Sequence, residues 1–175
     1  MQLKIVARKK FIAVVGYPKS GKSTIIQSLS GCKNHSFKGL INDASAGVSI
    51  YVHAPSPQEN PRTSERVFIK ILDEVNKNLS CQGLLFAIQP TFAYKRLRME
   101  RMFEIACEKG FEGYAFVLEF PFAGGGKSSN IGKFKSIKQR ILDSSNSKAN
   151  VFAIDGRRFA SLNSALIRSV ARFPY

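Results

Sequence analysis

The sequence predicts an α/β protein: a mainly parallel sheet between two layers of helices, forming one domain over residues 1–175. Three observations predict it. Apolar runs of strand length alternate with helical spacing about five times along the chain. A turn of the pattern GxxxxGK[ST] stands between the first strand and the first helix. The 175 residues, 44% hydrophobic, supply one core, at roughly 100–200 residues per domain.

The elements follow in order. Phe11–Val15 is a short β-branched strand, and Thr24–Leu29 continues as a helix that stops near Gly31. Phe37–Ile41 is an abbreviated second strand. Val48–Val52 is the next, closed by the turn material His53-Ala-Pro-Ser-Pro. Phe68, Ile71, Leu72, Val75 and Leu79 keep helical spacing, and Leu84–Ile88 is a strand ended by Pro90. Met99, Met102, Phe103 and Ala106 mark a helix, with Thr91 as its N-cap and Gly110 as its stop. Tyr114–Phe120 is a strand, Ile131–Ile141 a helix and Val151–Ile154 the last strand; Leu162, Ala165, Leu166 and Phe173 line the last helix. Right-handed crossovers bring the C-terminal strand ends to one edge, where open α/β sheets bind ligands. The segments after Val15, Val52, Ile88, Phe120 and Ile154 are therefore the functional candidates.

Composition narrows the classes. The hydrophobic share excludes wholesale disorder. No stretch approaches the ~20 uncharged apolar residues of a membrane span. The opening MQLKIVARKKFIAVVG lacks a small-residue cleavage site and is not read as a signal peptide. Cys32, Cys81 and Cys107 are isolated, which argues against a clustered zinc site and points to a reducing, cytoplasmic setting. A net charge of +15 points to polyanionic partners: nucleotide phosphates, nucleic acid or an anionic surface.

The one specific motif is Gly16-Tyr-Pro18-Lys19-Ser20-Gly21-Lys22-Ser23. Gly16 and Gly21 permit backbone angles and close approaches that a β-carbon forbids. The amides of the intervening loop and the helix start face an anion. Lys22 brings positive charge to β- and γ-phosphates and is the candidate catalytic group. The Ser23 hydroxyl is the candidate Mg²⁺ ligand, and Thr24 sits near the α-phosphate. The expected ligands are Mg²⁺ with GTP or ATP.

The pattern in that context resembles the P-loop (Walker A) of NTPases. The longer stretch IAVVGYPKSGKSTIIQSLSG is similar to the start of translation-factor-related GTPases. That resemblance implies a GTPase-like, three-layer fold. It also implies three further motifs, and here each is altered. At the DxxG place stands His53-Ala54-Pro55-Ser56; at the NKxD place, Glu119-Phe120-Pro121-Phe122; at the SAK-type loop, Asp155-Gly156-Arg157. Ser45 is a weak stand-in for a switch threonine. Asn76-Lys77-Asn78-Leu79 ends a helix and Ser147-Lys148-Ala149 precedes a strand, so neither supplies the missing motif.

An acid at a neighbouring strand end usually supports Mg²⁺ in such sites. Asp155 and Glu119 have the right local pattern, on strands not expected beside the first. Asp73 and Glu74 fall on a solvated helix face. Asp155 joins the loop residues as a candidate nucleotide contact. Two basic clusters also reach the ligand edge. Lys95, Arg96, Arg98 and Arg101 occupy the first half of their helix, or else pair with Glu100, Glu104 and Glu108. Gly124-Gly-Gly-Lys127-Ser128-Ser129 leads into Lys133, Lys135, Lys138 and Arg140, and Arg157 and Arg158 add charge.

Three functions fit. The first is a nucleoside triphosphate-binding protein of GTPase-like fold, a slow NTP hydrolase or a nucleotide-dependent switch. The second is a small P-loop kinase acting on a small molecule or nucleotide. The third is a non-catalytic basic module that binds nucleic acid or a protein.

Overall fold

The computed structural model describes residues 8–43, 46–60, 62–91, 94–120 and 133–172. Ser45, Pro121, Phe122, the 124–129 glycine-rich segment, Ile131 and Phe173 lie outside the described residues. Among the described residues eleven elements follow the order β1 (Lys10–Val15), α1 (Lys22–Ser30), β2 (Lys38–Asp43), β3 (Val48–His53), α2 (Glu65–Lys77), β4 (Cys81–Ile88), α3 (Met99–Glu108), β5 (Glu112–Phe120), α4 (Phe134–Ser144), β6 (Asn150–Asp155) and α5 (Ala160–Ala171).

The strands form one sheet in the order β2-β3-β4-β1-β5-β6. Only the β2–β3 pair is antiparallel; β3–β4, β4–β1, β1–β5 and β5–β6 are parallel. The α/β class with a mostly parallel sheet is as the sequence predicts. Central β1 is fully buried from Phe11 to Val15, and its alternating side chains feed two separate cores. Phe11, Ala13 and Val15 join Phe68, Leu72, Phe103, Met102 and Ile141 under α2, α3 and α4. Ile12 and Val14 join Ile26, Leu29, Phe116 and Ile167 under α1 and α5. Helices therefore cover both faces, in three layers.

The structure corrects four expectations. Glu119 lies on β5, which pairs directly with β1, so its strand is a neighbour of the first. Thr91 does not cap α3: the helix starts at Met99 behind Arg98, and Thr91 Oγ1 donates to Gln89 Oε1 at 3.2 Å. Lys95, Arg96 and Arg98 consequently precede the helix, and only Arg101 lies on it. In α5, Leu162, Ala165 and Leu166 are exposed; the inner face is Asn163, Ser164, Ile167 and Ala171.

That inner face is polar for a local reason. Ser164 Oγ donates to Ala160 O at 2.7 Å, and Asn163 Nδ2 donates to Asp155 O at 2.9 Å. The small side chains let α5 approach α1, where Ser164 Oγ also lies 3.3 Å from Ile25 O. Apolar spacing alone selects the opposite stripe. Leu79, placed in α2 by the same spacing, lies beyond its end and is 93% exposed.

Candidate functional site

Three parallel strand ends converge on the turn between β1 and α1. The Gly16 amide leaves β1 by donating to Ile88 O at the end of β4, at 3.0 Å. A β-carbon on Gly16 would stand 2.5 Å from Ser20 Oγ and 3.2 Å from Leu118 Cδ1, so the turn packs only around glycine. The chain then reverses through two left-handed residues, Lys19 (φ 59) and Gly21 (φ 93). Gly21 is the N-cap of α1 and makes no side-chain cap. The first helical bond is Ile25 N–H to Gly21 O at 3.1 Å, which leaves the amides of Lys22, Ser23 and Thr24 at an open helix start.

Lys19, Ser20, Gly21, Lys22, Ser23 and Thr24 line a cleft of 330 Å³, together with His35 and Glu59. Lys22 is 5% exposed, and its ammonium donates to Tyr17 O at 2.8 Å. Burial pulls its pKa down to about 8, against a nearby carboxylate, Glu59, that favours the charge. Ser20 Oγ is buried and has no hydrogen-bond partner among the described residues, which costs about 1–3 kcal/mol that a ligand acceptor would remove. Ser23 Oγ donates to Ala54 O at 3.3 Å, which brings the turn after β3 against the helix start even though β4 lies between β3 and β1.

Of the sequence-predicted contacts, the structure thus brings Lys19 through Thr24 into one cleft. Gly16 sits beneath it and Pro18 is exposed on the turn. Asp155 does not line it. That carboxylate, at the end of edge strand β6, receives Arg157 Nη2 at 2.7 Å, Arg157 Nε at 3.0 Å and the Arg157 amide at 2.9 Å. These bonds hold its pKa below the ordinary value.

The sequence reading misses Glu59, the carboxylate that does line the cleft. It stands six positions after β3, in the Pro-rich turn, and is placed by two buried glutamines. Gln58 Nε2 donates to Leu97 O at 2.7 Å, while Gln58 Oε1 accepts from the Gln89 amide at 3.0 Å and from Ser56 Oγ at 2.6 Å. Gln89, just past β4, donates its Nε2 to Glu59 Oε1. His53 anchors the same turn from its other end. Its Nδ1–H donates to Pro55 O at 2.7 Å, Nε2 accepts from Thr63 Oγ1 at 3.2 Å, and the ring stacks on Phe86 at 4.7 Å. Burial depresses its pKa to about 4. His53 is thus a neutral, structural residue at the position where the resemblance expects an acid.

The basic residues before α3 belong elsewhere. They border a 510 Å³ cleft with Ser64 and Glu65 that contains no residue of the 16–24 turn. On α3, Arg101 bridges Glu65 at 2.6 Å and Glu104 at 2.7 Å, and on α4, Arg140 holds Glu100 at 2.6 Å, so these two cations are paired within the fold. Beside the turn itself, Lys133 at the start of α4 lies 4.7 Å over the Tyr17 ring.

Among the described residues no group of three or more His, Cys, Asp or Glu could hold a metal, and no helix is long and apolar enough to cross a membrane. No protein-family model, curated protein or solved structure matches the chain.

Proposed function

We propose that the chain binds a nucleoside triphosphate with Mg²⁺ at the Gly16–Thr24 turn, as a P-loop protein that hydrolyses slowly or serves as a nucleotide-dependent switch. One observation carries this: a buried lysine ammonium at an uncapped helix start, in a cleft lined by five consecutive residues of a GxxxxGKS turn and the threonine after it. Uncompensated burial of such a charge is unfavourable, and an anion beside it removes the penalty. The residues fit the group. Lys22 and the amides of Lys22, Ser23 and Thr24 are donors for phosphate oxygens, and the bare Ser20 hydroxyl adds another.

Ser23 would hold the metal directly, and Glu59 would take a metal-bound water. Mg²⁺, when bound, neutralises phosphate charge. His35 and Glu59 are the cleft's titratable groups besides the two lysines. Both are exposed at the cleft, and Glu59 accepts a hydrogen bond from the buried Gln89 side chain. The antiparallel β2 between α1 and β3 also accords with a GTPase-like arrangement.

Equilibrium binding of fluorescent GTP and ATP analogues, with and without Mg²⁺, tests the proposal. Lys22→Ala is expected to weaken both at least ~100-fold, as loss of a charge-assisted contact plus loop reorganisation requires. Glu59→Gln is expected to keep binding but lose most of the Mg²⁺ dependence. Wild-type protein that binds neither nucleotide would sink the proposal and leave a basic binding module.

A further inference from the structure

The chain between β4 and α3 borders a cleft of its own. Lys95, Arg96, Arg98 and, on the helix, Arg101 line its 510 Å³ opposite Ser64 at the start of α2. A second cleft, of 340 Å³, reaches from Arg98 and Glu100 to Arg140 on α4. Arg98 and Glu100 line both, so the two form one groove from α2 across the start of α3 to α4. Among the described residues its walls hold five cations and three carboxylates. Each carboxylate is bridged within the fold: Glu65 and Glu104 by Arg101, Glu100 by Arg140. The cations beyond those two arginines are Lys95, Arg96 and Arg98, gathered within four positions of the chain.

Packing of the core explains neither of two features beside them. Tyr94 immediately precedes the lining, is 78% exposed and belongs to neither core; Lys95 Nζ lies 5.2 Å over its ring. Lys95 itself takes a left-handed backbone (φ 57), which a residue with a β-carbon enters only at a cost. An open aromatic ring among cations suits unpaired bases on a phosphodiester chain: the ring stacks on a base face and the cations meet backbone phosphates. Other ligands fit less well. Small-molecule sites are lined mainly by apolar groups, and protein partners draw most of their affinity from buried apolar or aromatic anchors. Leu97 is the one apolar residue lining the larger cleft, and it is buried. The field of a chain with net charge +15 draws polyanions toward such a groove.

We propose that this groove is a second binding site and that it takes single-stranded nucleic acid, with Lys95, Arg96 and Arg98 on backbone phosphates and Tyr94 stacked on a base. Its lining shares no residue with the phosphate cleft, so it stands whether or not the Gly16–Thr24 turn binds a nucleotide.

Fluorescence anisotropy of the full chain with labelled oligouridylate and oligothymidylate of roughly 12 nucleotides tests this, at salt between about 50 and 200 mM. Wild type is expected to bind both. Tyr94→Ala is expected to weaken both roughly 5- to 150-fold, to leave the salt slope unchanged and to leave a duplex of the same length unaffected. Tyr94→Phe is expected to keep wild-type affinity. Lys95→Gln combined with Arg96→Gln is expected to flatten the slope of log affinity against log salt by about 1.4, the share of two phosphate contacts on a single strand. Lys77→Gln with Lys148→Gln removes the same charge at the opposite end of the sheet, where β4 and β6 begin, and is expected to change neither slope nor affinity. Lys22→Ala is expected to bind as wild type does. Equal losses in the two double variants would assign binding to the general field and overturn the groove. Tyr94→Ala that binds as wild type would overturn the stacking contact and the single-strand preference with it. A loss in Lys22→Ala matching that of the groove variant would move the strand to the phosphate cleft. Polyglutamate that displaces the oligonucleotide at equal charge would make this a site for an acidic protein and overturn the proposal, as would wild type that binds neither strand at low salt.

Discussion

On the proposed reading, Lys22 ties anion binding to stability at a single position. In water its ammonium persists to pH 10.5, and in the fold burial brings the pKa to about 8. The charged form is therefore disfavoured by folding. Its contribution to stability is most unfavourable below pH 8 and is relieved as pH rises from 8 to 10.5, an effect of roughly 3 kcal/mol at most. Lys22→Met should then raise the stability of the ligand-free protein at pH 7 by roughly 1–3 kcal/mol, measured by urea unfolding, because a buried charge replaced by an apolar chain is often a gain. The same lysine predicts that tripolyphosphate affinity starts to fall above pH 8, well before an ordinary lysine discharges. His53 predicts the opposite side of the pH scale. Its folded pKa of about 4 lies below the ordinary 6.5. The unfolded chain takes up a proton there first, so stability is full above pH 6.5 and drains away toward pH 4, by roughly 3 kcal/mol. His53→Gln should be less stable at pH 7 yet show a flatter profile between pH 6.5 and 4; an unchanged slope would remove His53 as its source.

Elements show where local sequence decides and where contacts do. The β1–turn–α1 unit is legible residue by residue, since glycine positions, the strand and the helix start are all set within twenty positions. Helix α2 is legible too: Ser64 caps it by accepting the Val67 amide, and Phe68, Ile71, Leu72 and Val75 fill its buried face. Glu59 is not legible, because its place depends on the Gln58–Gln89 pair, 31 positions apart in sequence, and no local pattern announces a buried glutamine pair. Near Thr91, too, a contact is long-range: Gln58 holds the carbonyl of Leu97, 39 positions further on, just ahead of α3, which starts at Met99. Helix α5 misleads most directly, since its apolar stripe faces out and its inner stripe is built from Asn163 and Ser164. The reversal is testable. Asn163→Ala frees the Asp155 carbonyl and should cost about 1–3 kcal/mol, whereas Leu162→Ala should stay within about 0.5 kcal/mol in the same thermal unfolding assay.

At the scale of the whole molecule, the net charge of +15 sets two responses to salt that can be separated. Many of the acids are already committed: Glu65 and Glu104 to Arg101, Glu100 to Arg140, Asp73 to Lys109, Asp155 to Arg157. The excess cations, among them exposed Lys133, Lys135 and Lys138 on and just before α4, repel one another across the surface. Raising ionic strength shortens the screening length to roughly 10 Å at 0.1 M and relieves that repulsion, so sodium chloride should raise the melting temperature of wild type and Lys22→Met alike. On the proposed reading, phosphate at matched ionic strength should add a second effect in wild type only. Binding the folded state at ten times its dissociation constant contributes about 1.4 kcal/mol beyond screening, a few degrees for a domain of this size. General exclusion of phosphate from the surface stabilises both proteins equally and cancels between them. The difference between phosphate and chloride, taken in wild type and again in Lys22→Met, therefore isolates the cleft from the field around it. A surplus that survives the substitution would assign anion binding to the basic surface as a whole, and with it the function of the chain.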